Sequence, residues 1–443
     1  MILVKRESEK MKRESFEDIY QNKLTPTQRE VIPSLLEGLS NKEIAEKLDI
    51  RNPNTVTHRI SSIRKKFDAI DKADLIYVFN KFRPELVSNQ ARKQAGIVEN
   101  SQVYEVTYPE CSEVLDSPFY IQRNNIDDRC QNLIDRQGCL IRIKAPKQMG
   151  KTSLINRLFD YAERKDNHIV YYDFSFIDVD TLNNIDSFFY SLSSYIAEEL
   201  SDLTNKSFSL DWNQNNSLTT ECTRFLKRIL REIDQPLLLI FDETDRIFQY
   251  ESVYQSFAPL LRHWHEKGRT SAIWNKLKLV LAHSTEEYIT LDINQSPFTN
   301  VGETINLVDF TTSQVEELAI RHGIKDTKIV ASLMSLVGGH PYLIRLALYH
   351  LAKEDLSSEK LLSQATTDSG IYRHHLQRHL MRLQNNPDLE NAFRQIVKSE
   401  QPITIREQHL KHKLEGMGLI SIKGNSASVR YDLYRKYFND HLL

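Results

Sequence analysis

At 443 residues the chain has room for roughly two to four domains with cores of their own. Its 58 basic and 60 acidic residues leave a formal charge of −2, which excludes a globally basic nucleic-acid binder while leaving room for local basic faces. The N-terminus MILVKRESEK lacks the apolar centre of a signal peptide and no apolar run approaches a membrane span, so a soluble, cytoplasmic chain is expected. Cys111, Cys130, Cys139 and Cys222 show no C-x-x-C spacing, and are expected to be reduced packing residues.

Residues 24–67 carry the punctuation of three short helices. Thr25-Pro26 opens the first, Gly38 closes it, Ser40 caps a second with Glu43 at the capping-box position, and Asn52-Pro53-Asn54 opens a third. In the third, Val56, Ile60, Ile63 and Phe67 form one apolar stripe, while Asn54, Thr57, His58, Ser61, Arg64 and Lys65 lie mostly off it. That is a helix-turn-helix with a polar third helix. In LTPTQREV, GLSNKEIAEKL and NTVTHRISSIRKKF it resembles the LuxR-type DNA-binding domain, which implies that the third helix enters the DNA major groove. The family usually has Lys after the Thr-Val pair and this chain has Thr57, so two uses of the face stay open: duplex DNA or a protein partner.

Patterning weakens over 84–118, read as a connector. From Phe119, the run Tyr120, Ile121 and Arg123 precedes a helix through Asp127, Cys130, Leu133 and Ile134, which is similar to the entry to the adenine pocket in AAA-type ATPases. Leu140, Ile141 and Ile143 then make a short strand, and Leu154, Ile155, Leu158 and Phe159 recur at helical spacing. Between them stands Ala145-Pro146-Lys147-Gln148-Met149-Gly150-Lys151-Thr152-Ser153, a strand-loop-helix unit whose amides and helix N-terminus suit phosphate oxygens. Lys151 is placed for the β/γ-phosphates and Thr152 for Mg²⁺. Ala145 replaces the first glycine of G-x-x-x-x-G-K-[ST], which is acceptable only if its φ is negative.

HIVYYDFSF (168–176) reads as a second strand, followed by helices at 186–200 and 218–233. LLLIFDETDRI supplies a fully apolar strand ending in Asp242 and Glu243. Since ligands of open α/β sheets bind at the carboxyl ends of strands, Asp242 is expected to join Thr152 at Mg²⁺ and Glu243 to orient the attacking water. LKLVLAHST (277–285) adds a strand whose Ser284 is the candidate sensor of phosphate or water.

From Thr311 the pattern turns helical. Gly338-Gly339-His340-Pro341 breaks it, with Pro341 at a helix start and Arg345 one turn on, both directed toward the nucleotide in this reading. IYRHHLQRHLMR (371–382) sets His375 and His379 one turn apart, half a metal site at most, and a solvated basic face is expected. Helices at 388–398 and 406–416, two short strands turning at Lys423-Gly424-Asn425 and an amphipathic end make a winged-helix pattern.

Residues 119–443 resemble the bacterial AAA-like family related to STAND signalling ATPases, through APKQMGKTSLI, LLLIFDETDRIF, LVLAHSTEEYITLDINQSPF, LVGGHPYLIRLALYHLA and DLYRKYF. The resemblance implies an α/β P-loop NTPase core with a mostly parallel sheet (119–310), a helical lid (311–386) and a C-terminal winged helix (387–443), after a helix-turn-helix module at 1–83. It implies ATP and Mg²⁺ as ligands and a signalling or defence switch that acts on a separately encoded partner or on duplex DNA; no membrane is expected, and the sequence leaves the oligomeric state open, a nucleotide-dependent homo-oligomer included. A transcription regulator and a DNA-assembling transposition-type ATPase are the alternatives.

Overall fold

The computed structural model describes residues 13–50, 53–69, 71–83, 86–95, 106–110, 112–113, 117–123, 125–213, 215–286 and 301–442. The chain divides into two compact units, residues 1–102 and 103–443. The first is helical: α1 (Arg13–Asp18), a π-turn Ile19–Lys23, α2 (Pro26–Leu36), α3 (Asn41–Lys47), α4 (Pro53–Lys66), α5 (Lys72–Phe82) and α6 (Asn89–Gln94). Thr25 and Ser40 each close a capping box, with Gln28 and Glu43 respectively. Val56, Ile60 and Ile63 of α4, with Phe67 just past its end, are buried in one core with Val31, Leu35, Ile44 and Phe79. Val87, Ala91 and Ala95 join the same core, so the expected connector loses residues 86–95 to this unit. Three small apolar side chains spaced by four, among polar neighbours, were too sparse a stripe to read.

In the second unit, α7 (Ile126–Ile134) leads into β1 (Leu140–Ala145), α8 (Lys151–Glu163), β2 (His168–Asp173), α9 (Val179–Asn183), α10 (Ile185–Thr204), α11 (Leu218–Glu232), β3 (Leu237–Asp242), α12 (Glu251–Gly268), β4 (Leu277–Ser284) and β5 (Glu303–Asn306). The strands form one sheet in the order β2-β3-β4-β1-β5, with every described pairing parallel. Alternate strand residues feed opposite faces. Ile141, Ile143, Leu238, Ile240 and Val280 pack with α7 and α8, whereas Leu239, Phe241, Leu279 and Leu281 pack with Phe188, Phe225 and Phe257 of α10, α11 and α12. Burial on both faces is why β3 and β4 read as unbroken apolar runs. The register brings Ala145 level with Ser284 and Asp173 level with Asp242 at the carboxyl edge.

The remainder is α13 (Thr312–Arg321), α14 (Thr327–Val337), α15 (Pro341–Ala352), α16 (Ser358–Gln364), α17 (Arg373–Gln384), α18 (Pro387–Lys398), β6 (Ile403–Thr404), α19 (Gln408–Gly416), β7 (Ile420–Lys423), β8 (Ser426–Val429) and α20 (Asp432–Leu442). β6, β8 and β7 form a small antiparallel sheet. One apolar core runs from Val315 and Leu346 through Leu376 to Phe393 and Phe438, so the border expected at 386/387 is not a break in packing. Val106, Phe119 and Ile121 enter this core too, which draws the end of the expected connector into the second unit.

His375 and His379 correct the sequence reading: they are 4% and 1% exposed, not a solvated face. Residues 287–300, with the LDINQSPF part of one motif, and Cys111 lie outside the described residues. Cys130, Cys139 and Cys222 are free and buried. Among the described residues no helix is long and apolar enough to cross a membrane.

Candidate nucleotide-binding site

β1 delivers the loop at the carboxyl edge of the sheet, and α8 starts at Lys151. Ala145 keeps a negative φ as the last residue of β1, which satisfies the condition on its missing glycine. The left-handed conformations fall instead on Gln148 (φ 64°) and Gly150 (φ 85°). A Cβ at Gly150 would meet only the Arg123 guanidinium at 3.5 Å, and it is the left-handed φ that calls for glycine there. Arg123, 7% exposed, donates to the Met149 carbonyl oxygen and lies 5.2 Å from the Phe310 ring centroid, bracing the loop from behind. Met149 is fully buried in the α7–α8 core, so it anchors the loop. Lys151 is 5% exposed, its ammonium 3.4 Å from the Pro146 carbonyl oxygen across the loop.

Two strands away, Asp242 (1% exposed) accepts hydrogen bonds from the Thr152 hydroxyl at 2.9 Å, the Tyr171 hydroxyl at 3.0 Å and the Glu243 backbone N–H at 2.8 Å. The two motifs separated by ninety positions of sequence thus meet in one contact. Burial raises the carboxyl pKa of Asp242 above its ordinary value, opposed by these three donors and by Lys151. Glu243 is half-buried in a left-handed conformation (φ 51°), and burial raises its pKa as well, with Lys151 opposing. Asp245, raised by burial too, accepts the Ser284 N–H at 2.7 Å. A hydroxyl and a carboxylate 2.9 Å apart are hard oxygen donors suited to Mg²⁺. Among the described residues no group of three or more His, Cys, Asp or Glu is arranged for a metal, so an ion here would rest on these two side chains and on the ligand's own oxygens.

Two sequence assignments need correction. Ser284 is fully buried and its hydroxyl oxygen accepts the Glu286 N–H at 3.1 Å, so it ties the end of β4 instead of facing a phosphate. Arg345 has each nitrogen committed: Nε to Glu113 (3.3 Å), Nη1 to His322 Nε2 (2.7 Å) and Nη2 to the Thr107 carbonyl oxygen (2.7 Å). Its guanidinium carbon also lies 3.9 Å from the Phe119 ring centroid, which makes it a wall of the site, not a catalytic group.

That wall belongs to a cavity of about 540 Å³ adjoining Gly150 and Ser153, bounded by Arg123, Tyr120, Phe310, Pro341 and Arg345. Its size and its aromatic and polar lining suit a nucleoside beside the loop. Ser153 accepts the Glu113 N–H at 3.0 Å, pinning the segment before Phe119 onto α8. A second cavity of about 770 Å³ between α10 and α11 involves no residue of the phosphate loop. Sequence reading missed Tyr171, Asp245, Glu113 and Glu286. Only Asp245 carried a signal, as the further acid of DETD.

In the first unit, Thr57, His58 and Lys65 of α4 are exposed, and Ser61 and Arg64 half-buried; the Asn54 side chain lies outside those described. The Thr57 hydroxyl accepts from Asn41 Nδ2 at 3.0 Å, joining α3 to α4. Lys65 therefore presents its charge to solvent, while Thr57 is partly spent on the fold.

Residues 108–440 match the AAA-like domain, and residues 22–79 match the bacterial regulatory proteins of the luxR family. Among solved structures, the Walker-type ATPase PABY2304 of Pyrococcus abyssi is similar at 13% identity and a TM-score of 0.54, covering 75% of this chain and 99% of its own. The Aeropyrum pernix ORC2 protein aligns at 14% identity and a TM-score of 0.43, covering 76% of this chain and 96% of its own. None of the functionally curated proteins matches. At 13% identity the Pyrococcus abyssi likeness speaks for the fold alone, whereas the AAA-like match spans three quarters of the sequence. The chain belongs to the AAA-like domain family and carries a LuxR-type helix-turn-helix module at its N-terminus.

Proposed function

We propose that this protein binds and hydrolyses ATP with Mg²⁺ and uses the nucleotide state to control what its N-terminal module binds. The observation that carries the reading is the Thr152–Asp242 contact at 2.9 Å, with Lys151 and Glu243 beside it at the carboxyl edge of a parallel sheet. Lys151 would neutralise the terminal phosphates, the loop amides would orient them, and Thr152 and Asp242 would hold Mg²⁺, whose charge would balance that of the phosphates. Glu243, adjacent to Asp242 yet not tied into the Thr152 contact, would orient water and draw on its proton. Phe310, Tyr120 and Pro341 would exclude water from the nucleoside.

The output would be α4 of the helix-turn-helix, through His58, Arg64 and Lys65, on duplex DNA or on a separately encoded protein. In this reading the unit from α18 to α20 is a winged helix that works with the helices before it as a lid. A signalling or defence switch in the cytoplasm, assembling with nucleotide, is the role that fits these parts. Hydrogen exchange across residues 54–67, with and without ATP in a Glu243→Gln background, tests the coupling. Protection that changes with ATP supports the switch; identical protection, with partner binding also insensitive to ATP, leaves a binding module merely joined to an ATPase.

A further inference from the structure

The buried histidines left out of the account above lie against the phosphate loop. His375 Nδ1 is 2.8 Å from Gln148 Oε1, and His375 Nε2 is 2.7 Å from the Tyr434 hydroxyl of α20. Arg378 Nη2, one turn along α17, approaches the same Gln148 oxygen at 3.4 Å. Arg378 can only donate, so the amide oxygen of Gln148 must face it, and His375 must carry its proton on Nδ1. Nε2 is then the acceptor of the Tyr434 hydroxyl, and the imidazole is neutral. Burial, with His379, His340 and Arg378 nearby, disfavours its charged form.

The neighbouring loop residue is gripped in a similar way. The Lys147 N–H donates to Glu286 Oε1 at 3.0 Å, and the Glu286 carboxylate is ion-paired to Arg382 and lies 3.9 Å from Arg378. Lys147 and Gln148 are thus both held from outside the loop, and both holds converge on α17.

Gln148 makes the arrangement informative. Its φ of 64° is a conformation that glycine adopts freely and glutamine at a cost. The side chain that glycine would lack is spent on His375 and Arg378. A packing role alone would use the His375 ring, which stacks on Tyr434 at 11°, but would not need both ring nitrogens bonded to two different elements.

We propose that α17 sets the shape of the phosphate loop, with His375, acting through Gln148, as a positioning residue and Glu286, acting through the Lys147 amide, as a second. The inference rests on the loop being the phosphate site, as proposed above, yet its first readout needs no nucleotide. The variants are His375→Phe, which keeps an aromatic ring but removes both ring nitrogens, Gln148→Gly, which still permits the left-handed backbone conformation, and the two combined, all in the full chain. Hydrogen exchange of residues 145–151 is measured without nucleotide, and Mg·ATP affinity by calorimetry.

His375→Phe is expected to speed exchange in the loop and to weaken ATP about tenfold, the size of one well-placed hydrogen bond. Gln148→Gly is expected to do the same, and His375→Phe to add nothing in its background, since the interaction is already gone. Wild-type exchange and affinity in His375→Phe overturn the proposal, as does a full His375→Phe effect that persists in the Gln148→Gly background, which assigns His375 to packing. Should His375→Phe not fold, unchanged exchange in Gln148→Gly overturns it alone. Wild-type protein that binds no ATP sinks the nucleotide reading, while the exchange comparison still decides the positioning role.

Discussion

Tyr171→Phe is the most selective perturbation the site offers. It removes the hydroxyl that donates to Asp242 Oδ2 at 3.0 Å and leaves the ring on β2 in place. Asp242 keeps the Thr152 hydroxyl and the Glu243 N–H as donors. A hydrogen bond to a charged acceptor contributes about 1.5–3 kcal/mol. With two donors remaining and one fewer phenol to desolvate, the loss belongs at the low end, about 1.5 kcal/mol. In a unit larger than 250 residues, each kcal/mol moves the midpoint by about 2 °C, so scanning calorimetry should place the transition of the second unit about 3 °C lower. The carboxylate is also held less firmly toward Thr152, so ATP turnover in the variant should require a severalfold higher Mg²⁺ concentration for half-maximal rate. An unchanged transition together with a superimposable Mg²⁺ titration would refute the view that Tyr171 fixes the metal-binding carboxylate.

Glu243→Gln should retain ATP affinity and lose hydrolysis by about ten- to a thousandfold, the usual range for a positioned catalytic group, and parental turnover would remove its catalytic role. If the α4 face binds duplex DNA, Arg64→Ala with Lys65→Ala should weaken that binding across sequences and flatten its log–log salt dependence by roughly two units. Unchanged DNA retention with loss of a protein pull-down would reassign the face to a protein. Acid should destabilise the second unit through its buried histidines. Burial lowers His322 and His283 to about 3 and His379 to about 4, so protons bind the unfolded chain first. Their stabilising contribution is complete above the ordinary value near 6.5 and is lost as pH falls from there toward 4. Denaturant midpoints that stay flat over that window would contradict this.

The phosphate loop was legible because its signals are local: a short strand carrying Leu140, Ile141 and Ile143, a glycine at a left-handed position, and a switch to helical spacing at Leu154. β3 with Asp242 was legible for the same reason. His375 and His379 were not, because a polar helical face looks solvated until α20 and the loop are brought over it. Arg345 looked like a free cation near a Gly-Gly turn. Its partners Thr107, Glu113 and His322 come from stretches with no periodic pattern or from another helix. Tyr171 had no signal, since one tyrosine of a β-strand pair reads only as strand composition until register sets it beside Asp242.

The central claim is that the Lys151 loop holds a nucleoside triphosphate. Calorimetric titration of Mg·ATP into the full chain and into Lys151→Ala tests it most directly. The account predicts saturable binding to the parent and a loss on the order of tenfold to a hundredfold in the variant, as for removal of a charge-assisted contact. Equal affinity in the two proteins, or no binding to the parent, would contradict it.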